Sequence, residues 1–180
     1  DQLILTANQR LAAQIHQAWG KSMGDSAKVW KAPRVMSLEH WLNFCWNELQ
    51  DQNHPLVEGY AQIGKIQNLF YWEQAISQQD DSLDSSFATM ASDCYELLQR
   101  WKITVDNLED PCTAVYKFKR WATSYQKIIK NNKLLTPASA WQLVGQGFLQ
   151  QALPKEQYIH LYGFQSIPPL QQWIIEPASQ

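Results

Sequence analysis

The sequence predicts an α/β protein: a small parallel-sheet core interrupted by a large all-α insertion, helix-dominated overall. Three observations predict it. The chain opens on a short apolar run, Leu3-Ile4-Leu5, followed at once by apolar residues every fourth position. A second β-rich stretch, YIHLYGF (158–164), returns near the other end. Between about 60 and 150 every apolar pattern has a helical period. The order strand–helix–strand–helix, several helices, then strand–helix divides the chain into a two-segment core (1–50 and 151–180) and a helical insertion (51–150).

Leu3, Ile4 and Leu5 are too few for a helix and read as a buried strand of parallel type. Leu11, Ile15 and Trp19 then share one helical face, with Thr6 or Asn8 as the cap and Gly20 and Gly24 marking the end. Residues 33–36 (PRVM) read as a second extended segment. Ser37 is a good N-cap for the next helix, Glu39 suits its first turn, and Leu38, Trp41, Leu42, Cys45, Trp46 and Leu49 line one face. After a loop at 51–60, Ile63, Ile66, Leu69, Phe70 and Trp72 define one helix of the insertion. Phe87, Met90, Cys94, Leu97, Leu98 and Trp101 define the next, with Asp80, Asp81 and Asp84 near its start. Val115, Phe118, Ala122, Tyr125 and Ile129 mark a third. Thr136 followed by Pro137 opens a fourth, carrying Trp141, Val144 and Phe148. Gly163 closes the last strand, and SIPPLQQWII leads into a final helix.

Composition narrows the classes. Hydrophobic residues at 45% and nine Trp in 180 residues describe a folded chain with a substantial core. No apolar run approaches the ~20 residues of a membrane span, and the N-terminus lacks the order of a signal peptide, so a cytoplasmic protein is expected. Three widely spaced cysteines, Cys45, Cys94 and Cys112, indicate neither a disulfide framework nor a zinc site. Asp1 at the start and a helix just opening at the end suggest a piece of a longer protein. The net charge of −2 hides a segregation: five Lys/Arg against two acids over 1–36, three against thirteen over 37–110, and seven against two over 111–180. This predicts an acidic insertion and a basic core.

Gly20-Lys21-Ser22 has the letters of a phosphate-loop tail. A phosphate loop, G-x-x-x-x-G-K-[ST], must precede a helix, and here the letters follow one, with Ile15 where the first Gly should stand. LTANQRLA (5–12) is a better candidate, at a strand-to-helix turn on the carboxyl edge of the sheet. Thr6, Asn8, Gln9 and Arg10 there suit a nucleic-acid phosphate, or simple capping. The helix at 112–133 carries Lys117, Lys119, Arg120, Lys127, Lys130 and Lys133 without an acid. Tyr116, Trp121 and Tyr125 lie among them, a composition able to track a single strand by charge and stacking. The bland alternative is an amphipathic helix with core aromatics and solvated lysines. The four histidines are isolated, and His160 is expected to be packed in its strand. The acids at 80–84 read as capping rather than metal ligands, so no catalytic residue, metal or cofactor is assigned.

LTANQRLA, VWKAPRVMSLEHWL (29–42) and YIHLYGFQSIPPLQQWII (158–175), in that order and spacing, carry a resemblance across nearly the whole chain. The chain resembles the N-terminal part of a bacterial group known as probable DNA repair proteins, RecB-family-exonuclease-like and related to AddB, the nuclease subunit of a helicase–nuclease. The resemblance implies a superfamily-1 helicase-like domain with a degenerate ATP site and a helical subdomain set into it. A PD-(D/E)XK nuclease domain would lie far toward the C-terminus. It implies that Thr6, Asn8 and Arg10 contact single-stranded DNA. It also sets IHLYGF beside the strand whose end carries magnesium-coordinating acids in active helicases. Here that end reads Gly163-Phe164-Gln165-Ser166, without an acid. The function implied is a non-catalytic helicase-like DNA-binding or scaffold domain of a DNA-repair exonuclease-type protein. Its partners would be single-stranded or unwound DNA and a C-terminal nuclease domain or partner subunit. The alternative is a protein–protein interaction scaffold within a helicase–nuclease complex; a small-molecule enzyme would instead need a deep pocket near 6–10 and 163–168.

Overall fold

A computed structural model describes residues 2–24, 32–79, 86–109 and 112–179. Strand β1 (Gln2–Thr6) is the middle of a three-stranded parallel sheet, between β2 (Arg34–Ser37) and β5 (Tyr158–Tyr162). Leu3 stands opposite Arg34 and Ile159, and Leu5 opposite Met36 and Leu161. Leu3 and Leu5, on one face of this middle strand, are fully buried, and Ile4 on the other face is half-buried. Because β1 pairs with β5, the chain leaves the sheet after β2 and returns to it only after the helical middle. The protein is thus helix-dominated α/β with a small parallel sheet.

Helix α1 (Gln9–Gly24) starts where Asn8 Oδ1 accepts the Leu11 N–H at 2.9 Å. Gly20 does not stop it: the helix runs through Gly20-Lys21-Ser22, and Ser22 Oγ donates to the Trp19 carbonyl. His16 Nε2 donates to the Val35 carbonyl at 2.9 Å, tying α1 to β2. Helix α2 (Leu38–Asp51) is capped by Ser37, which accepts from His40 N–H, and it buries the six residues its periodicity predicts. Trp41 stacks on Phe148 of α6 (Pro137–Leu149) at 5.6 Å. Gly145 of α6 lies against Trp173 of α7 (Pro169–Ala178), where an added Cβ would come within 2.2 Å of the indole ring. Arg34 donates an N–H from each terminal guanidinium nitrogen to the two Glu156 carboxylate oxygens, each at 2.8 Å. Gly163 ends β5 with φ +79°, and a Cβ there would lie 2.4 Å from Leu11 Cδ2. His160, expected to be packed, is exposed, because β5 is an edge strand and also leaves Tyr158, Leu161 and Tyr162 open to solvent.

The chain divides into two compact units, Asp1–Leu56 with Leu143–Ile167 and Gln171–Gln180, and Val57–Gln142 with Pro168–Leu170. The second unit holds α3 (Lys65–Ser77), α4 (Ser86–Arg100) and α5 (Thr113–Asn131). Its centre is an aromatic stack. Trp72 lies flat on Tyr125 with centroids 4.1 Å apart and on Phe118 at 6.3 Å, and Tyr95 meets Trp72 and Tyr125 edge-on. The Tyr125 hydroxyl donates to Asn68 Oδ1, and Asn68 Nδ2 donates to Ser92 Oγ. Thr136 caps α6 by accepting the Ser139 N–H, with Pro137 at the first helical position.

Three expectations need correction here. The insertion is not all-α, since β3 (Ala61–Gln62) and β4 (Leu134–Leu135) pair in parallel, a pairing too short to leave a periodic signal. On α3, Ile66 and Phe70 are exposed rather than packed, and Ile63 is buried ahead of the helix. On α4 the buried residues are Ala88, Ala91, Ser92, Tyr95 and Leu98, while Phe87, Met90 and Leu97, with Trp101 just past the helix end, face outward. The rings of Trp72, Phe118 and Tyr125, from α3 and α5, take much of the centre, and α4 adds Tyr95 and Leu98 beside three small side chains.

The charge segregation does not follow the units either. The first holds six Lys/Arg and seven Asp/Glu, the second nine and ten. Asp80, Asp81 and Asp84 lie outside the described residues. Among the described residues no helix is long and apolar enough to cross a membrane.

Candidate nucleic-acid interface

The nine residues singled out as candidate contacts fall into two groups, one in each unit. In the first, Thr6 is fully buried at the end of β1. Its hydroxyl hydrogen lies between the carbonyls of Asn8 (2.9 Å) and Met36 (3.3 Å), so the side chain holds the strand-to-helix turn together and faces the protein. Asn8 is exposed, but its Oδ1 is committed to capping α1. Gln9 and Arg10 stand exposed in the first turn of the helix.

The second group is on α5, which separates into two sides. Phe118, Trp121, Ala122, Tyr125 and Ile129, spaced by three and four, are buried. At about 100° per residue, Lys119, Arg120, Lys127 and Lys130 fall within an arc of about 100° on the side away from Tyr125. From Lys119 to Lys130 they cover about 16 Å of the helix axis. Arg120, Lys127 and Lys130 are exposed and Lys119 is half-buried. Tyr116, also exposed, lies in the same arc, with the Arg120 guanidinium 5.8 Å above its ring. Lys117 is half-buried and lies outside the arc.

Trp121 and Tyr125, expected as possible stacking surfaces, belong instead to the aromatic core. Burial pushes the Tyr125 phenol well above its ordinary range, with Tyr95 and Glu96 as lesser causes. The distinguishing signal was in the sequence. Trp121 and Tyr125 repeat with Phe118 and Ile129, whereas Tyr116 repeats with Arg120 and Lys127.

No protein-family model matches this chain, and no curated protein does.

A cationic strip with one exposed ring offers point charges to phosphates and one π-face to a base. Two cavities, of about 430 and 380 Å³, lie within the second unit, the larger bordered by Tyr95, Gln99, Lys102, Asp106 and Gln126. Among the described residues no three His, Cys, Asp or Glu side chains gather as metal ligands would. Burial pushes the Cys45 thiol up to about 12, which removes it from nucleophilic chemistry near neutral pH. The contact that sequence reasoning passed over is Arg34–Glu156, whose partners stand 122 positions apart with no local pattern to join them.

Proposed function

We propose that this chain is a non-catalytic nucleic-acid-binding domain that holds single-stranded DNA on the solvent face of α5. The observation that carries the reading is the acid-free arc of Lys119, Arg120, Lys127 and Lys130 with Tyr116 among them. The likeness of ILTANQR and IHLYGF to helicase segments supports the same reading. In this reading the chain is a helicase-like domain of a DNA-repair exonuclease-type protein, with its ATP site inactive. Gly20-Lys21-Ser22 lies inside the last turns of α1, where carbonyl ends disfavour phosphate. The end of β5 runs into Gly163-Phe164-Gln165-Ser166, with no carboxylate to hold magnesium. In this reading strand cleavage belongs to a nuclease domain or partner subunit, and Gln9 and Arg10 supply a second, smaller contact.

The test is fluorescence anisotropy with a labelled single-stranded oligonucleotide across a salt series. Four phosphate contacts give a slope of log K against log salt of about −3, close to 0.7 per contact. Affinity then falls about 50-fold between 50 and 200 mM salt. Replacing all four basic residues by Ala flattens the slope. Tyr116→Ala weakens single-strand binding about tenfold, with little effect on duplex. Absence of binding at low salt, or an unchanged slope in the fourfold variant, refutes the reading.

A further inference from the structure

The outward side of α4 is not polar. Phe87, Met90, Cys94, Leu97 and Trp101 follow one another at steps of three and four, so they form one continuous stripe. It lies beside the buried face of Ala88, Ala91, Tyr95 and Leu98, and together the two make most of the helix circumference apolar. Relative exposures are 37% for Phe87, 67% for Met90, 56% for Leu97 and 45% for Trp101, and Cys94 is exposed as well. Scattered apolar residues on a surface are ordinary, whereas an ordered stripe marks an interaction site. Phe87 meets Trp121 of the core edge-on at 6.3 Å, so one end of the stripe is anchored to the core.

We infer that this stripe docks an amphipathic helix whose apolar face is bordered by Lys or Arg. The stripe's helical spacing matches a helical ligand laid along it. Its size matches as well. At about 200 Å² per large side chain, the four quoted exposures give about 400 Å² of apolar surface. That is close to the apolar share of one side of a standard interface, about 57% of some 800 Å². Trp, Phe and Met are also the residues such interfaces favour. Charge selects the partner's border. Asp93 stands three residues after Met90 and four before Leu97, on the edge of the stripe. The described residues 86–109 hold four acids, Asp93, Glu96, Asp106 and Glu109, against Arg100 and Lys102. Arg100, the basic side chain nearest that edge, is drawn to Glu96 at 2.6 Å. A second copy of α4 would bring acid against acid, and a basic-bordered helix meets the opposite charge.

The experiment uses three fluorescein-labelled helical 18-residue peptides: a Leu face with Lys borders, a Leu face with Glu borders, and a Gln face with Lys borders. The chain is expected to bind the first saturably, the second at least tenfold more weakly, and the third not at all. Leu97→Glu is expected to weaken the first peptide at least tenfold with unchanged circular dichroism and thermal midpoint. Met90→Ser with Leu97→Ser gives the same loss without adding charge. Four results each overturn the inference: no binding of the first peptide, equal binding of the Glu-bordered one, no loss in either variant, or sedimentation showing a dimer that Leu97→Glu dissociates. The last would make a second copy the occupant.

Discussion

Tyr125→Phe separates the hydroxyl of the central tyrosine from its ring, and its effect should fade as pH rises. The ring stays, so the stacking on Trp72 at 4.1 Å survives. What is lost is the O–H donated to Asn68 Oδ1. Asn68 is half-buried, so its orphaned carbonyl oxygen reaches only part of the water it needs. At neutral pH the variant should be less stable by about 1–2 kcal/mol. Burial works in the opposite direction at high pH, because it keeps the native phenol protonated. The unfolded chain releases that proton near pH 10, so wild-type stability falls as pH rises past 10, and the variant lacks this penalty. By pH 11 the unfolded tyrosine has gained about 1.4 kcal/mol from ionisation, roughly the value of the lost hydrogen bond. Urea unfolding of both proteins at pH 8, 10 and 11, followed by circular dichroism, should show two curves well separated at pH 8 and nearly superposed at pH 11. Tyr95, also pushed up mainly by burial, titrates in both and cancels in the difference. A gap that stays constant or widens with pH would mean that Tyr125 is not buried as described.

Other consequences follow from single contacts. Gly145→Ala sets a methyl group 2.2 Å from the Trp173 ring and should cost about 1–3 kcal/mol, read as a lower thermal midpoint, despite the better helix propensity of Ala. Glu156→Gln halves the charge-assisted pairing with Arg34 and should cost about 1 kcal/mol, a value discounted for the 39% exposure of the Arg34 side chain. High salt should shrink that loss only slightly, since the Glu156 side chain is 14% exposed. A thiol reagent at pH 8 should titrate Cys112 rapidly, Cys94 more slowly because burial raises its thiol, and Cys45 only after unfolding. Three fast thiols would contradict the buried position of Cys45.

The elements that could be read from sequence are those where local and tertiary signals agree. For α2, a capping Ser37 and one apolar face gave both boundary and burial. For β1, three apolar residues between polar ones gave a buried strand of parallel type, and the structure makes it the middle strand of the sheet. The misreadings arise where a local preference is outweighed. Gly20 costs α1 roughly 1 kcal/mol against Ala, too little to end a helix that continues for another turn. Periodicity found the apolar residues of α4 but weighted the large ones. The core took Ala88, Ala91 and Ser92 with Tyr95 and Leu98, because the rings of Trp72, Phe118 and Tyr125 from the neighbouring helices already fill much of the volume. Arg34–Glu156 left no trace, as any contact across 122 positions would without a pattern to link its ends. On α5 the cationic arc could be read by residue number, but which aromatic residue shares it depended on knowing which side the core takes.

The charge pattern along the sequence acquires a different meaning once the units are known. It had suggested an acidic body and a basic body, yet each unit is nearly neutral by count. The segregation lies inside the second unit, where eight of ten acids fall between residues 80 and 110 and six of nine basic residues between 117 and 133. Helices α4 and α5 share one aromatic core, with Tyr95 of the first against Tyr125 of the second. One small bundle therefore presents a cationic arc on α5 and an apolar stripe with an acidic border on α4. A polyanion held on the first is repelled from the border of the second, so one ligand does not satisfy both surfaces. Under the proposed function two partners of opposite chemistry do, a nucleic acid on α5 and a basic-bordered helix on α4.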